Sequence, residues 1–145
     1  MAAEIIAIAS DHAGFEYKDL LKRQLIDWGY EVLDLGTDST ASVDYPDFGR
    51  RLAKAVAEGK VRRGVVICGT GIGISIAANR EPKVRAALCH DVTTAKLARQ
   101  HNDANVLAIG ARTTGIEVAR ETVRAFLDTE FEGGRHAGRV AKLSA

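Results

Sequence analysis

The stretch Gly64-Val65-Val66-Ile67-Cys68-Gly69-Thr70-Gly71-Ile72-Gly73-Ile74-Ser75-Ile76-Ala77-Ala78-Asn79 changes character twice. Through Cys68 it is apolar without polar alternation, the pattern of a strand covered on both faces. Gly69, Gly71 and Gly73 then let the backbone turn sharply or approach a ligand closely. Ile74, Ile76, Ala77 and Ala78 resume as a helix, whose amino terminus can direct N–H groups toward anionic oxygen. Strand, glycine turn and helix in that order make up half of a parallel βαβ unit.

The flanking sequence repeats this unit. Ile5 to Ala9 is a short apolar run ending at Ser10-Asp11-His12, and Phe15, Leu20, Leu21, Leu25 and Trp28 follow at near-helical spacing, with Gly29 as a stop. Glu31-Val32-Leu33-Asp34-Leu35 alternates like a partly exposed strand. Asp44-Tyr45-Pro46 starts a second helix, with Pro46 in the first turn where a missing N–H costs least and Phe48, Leu52, Ala55 and Val56 facing inward. Beyond the glycine turn, the pattern predicts a strand over Val84 to Cys89 and a helix over Val92 to Gln100. A fifth strand follows over Val106 to Ile109, closed by Gly110, and then a long helix carrying Ile116, Val118, Ala119, Val123, Phe126 and Leu127. Strands separated by helices predict an α/β chain, a Rossmann-like three-layer sandwich around a five-stranded parallel sheet with right-handed crossovers. No interdomain linker is visible, so residues 1–145 are expected to form one domain.

Residues 131–145 form a basic tail in which Arg135, Arg139 and Lys142 outweigh Glu132. Arg135 and Arg139 fall one helical turn apart, which suits either an anion clamp or a solvated terminal helix.

The 145 residues are 46% hydrophobic, enough for a core of their own. A formal net charge of +1 argues against a nucleic-acid binder while leaving room for a local anion site. The first apolar run has no basic stretch before it and meets Asp11 soon after, so it reads as a strand and not a secretion signal. No apolar run approaches the roughly 18 residues of a spanning helix, so no membrane contact is expected. Cys68 and Cys89 suit free thiols in a reducing, cytoplasmic setting.

Loops at the carboxyl ends of the strands line the natural crevice of an open parallel sheet. That rule assigns Ser10-Asp11-His12, Cys68 to Gly73, His90-Asp91 and Gly110-Ala111-Arg112 to one rim, and leaves His101-Asn102, which precede strand five, away from it. The glycine cluster is not a dinucleotide fingerprint, since Ile74 takes the place of a required glycine, and no GK[ST] makes it a P-loop. Cys68 is either a small core residue or a thiolate favoured by helix N–H groups and able to remove a carbon-bound proton. Cys89, with no glycine cradle after it, reads as core. His12 and His101 suit acid, base or anion-donor roles as well as structural ones. The Cys and His residues lack CxxC or HExxH spacing, so no metal is expected.

Taken together, Ser10-Asp11-His12-Ala13-Gly14-Phe15, Asp44-Tyr45-Pro46, Ile67 to Asn79, Arg99-Gln100-His101-Asn102-Asp103-Ala104-Asn105-Val106-Leu107 and Glu132-Gly133-Gly134-Arg135-His136 with Arg139 resemble the type B ribose-5-phosphate isomerases over nearly the whole chain. The resemblance implies aldose-ketose isomerisation of a phosphorylated pentose, ribose 5-phosphate to ribulose 5-phosphate, with no cofactor. It assigns Cys68 as the base, Thr70 and the amides around Gly69, Gly71 and Gly73 as the enediolate cradle, His101 with Asp11 to ring opening, and Asn102 to holding the substrate. It assigns the phosphate to His12, Arg112, Arg135 and Arg139, with His136 nearby. Some relatives use a loop carboxylate in place of the cysteine, but Ile72-Gly73-Ile74 offers none. The resemblance also implies a homodimer, or a tetramer of two such dimers, in which His101 and the tail serve the partner's glycine loop. Isomerases of allose or galactose 6-phosphate share the pattern. A noncatalytic phosphometabolite sensor would use the same glycines and arginines but would have less need of Cys68 and His101.

Overall fold

The unbroken apolar runs occupy the middle of the sheet. The structure, a computed structural model, describes residues 2–144. Strands β1 (Ile5–Ser10), β2 (Glu31–Asp34), β3 (Arg63–Cys68), β4 (Ala86–Leu88) and β5 (Val106–Gly110) pair in parallel in the order β2-β1-β3-β5-β4. The expected α/β sandwich around a five-stranded parallel sheet is therefore present. Of the strands, β1, β3 and β5 are central and nearly all buried, whereas the alternating Glu31-Val32-Leu33-Asp34 sits at an edge, half covered.

Successive strand residues face opposite sides, and the two cores divide accordingly. Ile6, Ile8, Val65, Ile67, Leu107 and Ile109 meet α1 (Phe15–Asp27), α4 (Val92–Asn102) and α5 (Ile116–Asp128), which contribute Leu21, Leu25, Ala98, Val123 and Phe126. Ala7, Ala9, Val66, Cys68, Val106 and Ala108 meet α2 (Tyr45–Ala57) and α3 (Ile72–Ala78) through Phe48, Leu52 and Ile74. Fully burying a side chain such as Leu21 or Phe126 contributes about 1.5–3 kcal/mol. The second face carries smaller residues, and Leu52 lies where a side chain on Gly64 would stand, so α2 seats close to the sheet. A sixth helix, α6 (Arg135–Leu143), gives the basic tail a helical form.

The expected strand from Val84 to Cys89 shrinks to Ala86–Leu88. It is an edge strand paired with β5 alone. Before it, Val84 is held in a turn through N–H donation to the Glu81 carbonyl, and the Arg85 N–H is taken by the Asn105 side chain at 2.8 Å. On α1, the periodicity marked Phe15 and Leu20 as apolar, but both are only half covered, while Lys18 is buried. The Lys18 ammonium reaches the Asp34 carboxylate at 2.7 Å, which ties α1 to the edge of β2. Burial alone would raise the Asp34 carboxyl, but hydrogen bonds from Lys18, Gly36 and Lys22 more than offset it and hold the group below its usual range. Among the described residues, no helix is long and apolar enough to cross a membrane.

Candidate functional site

The chain leaves β1 for β2 on one side of the sheet and leaves β3 for β4 on the other, so the strand order reverses between β1 and β3. A crevice opens at such a switch point, outside the carboxyl ends of the strands. Here it is a cleft of about 480 Å³ lined by Asp11, His12, Tyr45, Cys68 to Thr70, Gly73 and Arg112. Three of the four loops assigned to this rim meet there. His90-Asp91 does not line it, because β4 is the edge strand and β5 lies between it and the switch point; there the Asp91 carboxylate caps α4, accepting the Thr94 N–H at 2.7 Å.

Backbone bonds hold the glycine loop in place. The Ala111 N–H donates to the Cys68 carbonyl at 2.9 Å and the Arg112 N–H to the Gly69 carbonyl at 2.8 Å, so the loops after β3 and β5 are zipped together. Gly110 permits this approach, since a Cβ there would stand 2.5 Å from the Thr70 carbonyl carbon. The Arg112 side chain lies against Gly69. Gly71 is not part of the cleft lining, as the glycine pattern suggested. It turns beneath it at φ +77°, with Leu88 and Ile109 behind it.

This turn aims an N–H at sulfur: Gly71 donates to the Cys68 Sγ at 3.1 Å. Cys68 is 5% exposed, and an N–H pointed at its sulfur stabilises negative charge there. The Ile72 N–H is taken by the Thr70 hydroxyl at 3.2 Å, while the rest of the first turn of α3 carries N–H groups that the helix itself leaves open. Cys89 contrasts with this arrangement. It is buried in the opposite core, burial pushes its thiol up, and it stays protonated and inert.

Across the cleft, the Asp11 Oδ1 accepts the Gly14 N–H at 3.1 Å, which fixes the loop after β1. The His12 Nδ1 accepts the Val43 N–H at 3.1 Å. A neutral imidazole accepting at Nδ1 carries its proton on Nε2, which makes that atom a donor. Tyr45, to which the sequence pattern assigned no role, lays its ring where a Gly73 side chain would be and forms a wall of the cleft. Its signal was the Asp44-Tyr45-Pro46 helix start, which reads as a capping feature and gives no hint of where the ring points.

The remaining candidates lie elsewhere. Helix α4 starts beyond the carboxyl end of β4 and runs back along the sheet for eleven residues, about 16 Å, to finish before β5. His101 and Asn102 therefore sit at the opposite end of the sheet from Cys68. There they share a groove of about 290 Å³ with His136 and Arg139 from α6. The His101 and His136 rings stack with centroids 4.5 Å apart. Burial pushes the His136 imidazole below its ordinary range, and the charges of Arg135 and His101 act in the same direction. Arg135 lines neither the cleft nor the groove and is exposed at the first turn of α6.

Gly71→Ala should cost about 2–4 kcal/mol, from left-handed backbone strain plus overpacking against Leu88 and the Ile109 backbone. Urea denaturation measures this, and a loss under about 1 kcal/mol would mean that the turn relaxes.

Residues 6–143 match the Ribose/Galactose Isomerase family. Ribose-5-phosphate isomerase B of Escherichia coli is 48% identical over 140 residues, which cover 97% of this chain and 94% of that protein. The D-erythrulose-4-phosphate isomerase of Pectobacterium atrosepticum is 45% identical over 139 residues, covering 95% of this chain and 91% of the relative. Ribose-5-phosphate isomerase B of Clostridium thermocellum superposes with a TM-score of 0.96 at 51% identity, over 97% of this chain and 95% of that one. The chain belongs to the ribose/galactose isomerase family and is an isomerase of carbohydrate metabolism.

Proposed function

We propose that this isomerase interconverts D-ribose 5-phosphate and D-ribulose 5-phosphate in the cytoplasm, with Cys68 as the base and with each site completed by a second copy of the chain. The observation that carries this reading is the Cys68 sulfur held in the switch-point cleft by the Gly71 N–H, beside open amides and across from Asp11 and His12.

The sulfur anion takes the proton from C2 of the open aldose, and the C2–H electron pair moves toward C1 as charge collects on the carbonyl oxygen. The Thr70 hydroxyl and the loop amides receive that charge, and an oxyanion cradle of this kind is usually the largest single contribution to catalysis. Moving the hydroxyl proton from O2 to O1 and returning the carbon proton to C1 gives the ketose. The steps relocate protons and involve no net oxidation.

The phosphate is bound by the His12 Nε2–H and by Arg112 in the cleft, with Arg135 and Arg139 supplied by the second copy and His136 beside them. Charge-assisted guanidinium contacts orient the sugar as well as bind it. His101 and Asn102 come from that same second copy, because α4 runs back along the sheet and leaves them at the end opposite their own cleft. His101 moves protons between the anomeric hydroxyl and the ring oxygen, with Asp11 at the ring hydroxyls. Ile72 and Ile76, 51% and 54% exposed one turn apart on α3, give the cleft an apolar rim suited to homodimer contact. Two such dimers could stack as a tetramer without altering this pairing.

Ribose 5-phosphate is favoured by the relatives named for it at 48% and 51% identity. A relative at 45% identity is named for a four-carbon sugar phosphate, so the length of the sugar is what the kinetics must decide. Side-by-side kinetics with ribose 5-phosphate, erythrulose 4-phosphate, allose 6-phosphate and galactose 6-phosphate test the assignment. The pentose should show the highest kcat/KM, and a faster six- or four-carbon substrate would reassign the enzyme. Binding of all four without solvent proton exchange would make the chain a sensor. Arg112→Ala should lower kcat/KM by about 10–100-fold, mostly through KM, as loss of a charge-assisted phosphate contact requires. An unchanged KM would remove Arg112 from the phosphate site.

A further inference from the structure

One cluster of donors joins two residues of the proposed site to a carboxylate that the proposed chemistry does not use. Next to the stacked His101 and His136 rings lies Glu132, whose Oε1 is 3.5 Å from the His136 Nε2. That nitrogen is buried and has no hydrogen-bond partner among the described residues. A buried, unsatisfied imidazole nitrogen is costly unless something occupies it. One candidate donor atom from each of His101, Glu132 and His136 lies within 4.8 Å of the other two.

The local backbone fixes this arrangement. The Glu132 N–H donates to the Gln100 carbonyl at 3.1 Å, which pins the segment before α6 onto the last turn of α4. Gly133 and Gly134, at φ +68° and +56°, then turn the chain so that α6 starts with His136 over His101.

We propose that His101, Glu132 and His136 form an inhibitory site for a borderline divalent transition-metal ion of the Zn²⁺ class. Two imidazoles and a carboxylate with a fourth position left to water are a donor set that Zn²⁺, Co²⁺ and Ni²⁺ accept. Donors around a tetrahedral Zn²⁺ stand about 3.3 Å apart, given metal–nitrogen bonds near 2 Å, so side-chain rotation closes the present spacing onto the ion. Arg135 and Arg139 flank the site and oppose any cation held by charge alone. This selects ions that form strong bonds to nitrogen over Mg²⁺ and Ca²⁺, which depend on oxygen ligands.

The inhibitory half of the proposal rests on the ring-opening role of His101 argued above. A His101 nitrogen bonded to metal can no longer exchange protons with the sugar, so metal and turnover compete for one side chain. Glu132 has no part in the proposed turnover and is about half exposed, which makes it the residue to change.

The experiment uses the full-length chain stripped of metal, wild type and Glu132→Ala, with Co²⁺ as the spectroscopic probe and Zn²⁺ in the isomerase assay. Wild type should bind one Co²⁺ per chain, with ligand-field bands and no thiolate charge-transfer band. Glu132→Ala should bind Co²⁺ at least about tenfold more weakly. Zn²⁺ should inhibit wild type over the same concentration range as it binds, and inhibition of Glu132→Ala should need correspondingly more metal. Absence of Co²⁺ binding, equal binding by Glu132→Ala, or a thiolate spectrum pointing to Cys68 would each overturn the site. Glu132-dependent binding that leaves turnover untouched would overturn the inhibitory claim, and that failure would fall on the role of His101 and not on the metal site.

Discussion

Cys68→Ala is expected to lower kcat/KM for ribose 5-phosphate by about 10³-fold while the chain remains folded. The sulfur sits in the core formed with α2 and α3, so its removal leaves a small void and deprives the Gly71 N–H of its acceptor. Together these cost about 1–2 kcal/mol, well short of what unfolds a domain. Cys68→Ser separates fold from chemistry, because its hydroxyl can still accept the Gly71 N–H but is far too weak an acid to supply an anion near neutral pH. Solvent deuterium incorporation into the sugar measures the proton transfer itself. Both variants should lose it together, and exchange at near wild-type rate in folded Cys68→Ala would rule this sulfur out as the base.

His101→Ala should lose about 10²-fold on ribose 5-phosphate for a different reason. The aldose is mostly a furanose ring, which must open before C2–H is acidic. Ribulose 5-phosphate cannot form the corresponding ring because its C5 oxygen carries the phosphate. Without His101, conversion of the aldose becomes limited by the small open-chain fraction, while exchange of the ketose C1 proton with solvent proceeds almost unchanged. Cys68→Ala loses both. Following the ketose C1 signal by NMR in D₂O separates the two roles, and equal loss of both reactions in His101→Ala would place His101 in the proton transfer or in the integrity of the site.

The sequence exposed this fold where the physics is local. The runs Ile5 to Ala9, Val65 to Cys68 and Val106 to Ile109 have no polar alternation because both of their faces are covered, and they became the three central strands. The glycine turn was equally legible, since few residue types permit such a backbone path. Strand order was not, because β5 lies between β3 and β4 through pairings remote in sequence. The length of β4 was overestimated because apolar character continues through Val84 and Cys89, both buried, after ladder pairing has ended.

Site legibility followed the same division. Asp11, His12, Cys68, Thr70 and Arg112 follow strands directly, so the carboxyl-end rule grouped them correctly, and they line one cleft. The rule failed for His90-Asp91, because β4 proved to be the edge strand and its loop opens away from the switch point. Tyr45 and the His101–His136 stack depend on how helices lie against one another, which periodicity along a single helix does not record. Lys18 was hidden for a related reason: a charge inside an otherwise apolar stripe is legible only once its partner Asp34, on another element, is in view.

The most direct measurement mixes Cys68→Ala with His101→Ala chains, each retaining at most about a hundredth of wild-type activity on ribose 5-phosphate by itself, under conditions that allow subunits to exchange. If each site takes Cys68 from one copy and His101 from the other, a mixed dimer carries one intact site and one doubly impaired site. Random pairing of equal amounts should then restore about a quarter of wild-type activity. No recovery, with mixed dimers demonstrably present, would mean that the two residues do not serve a shared site across copies.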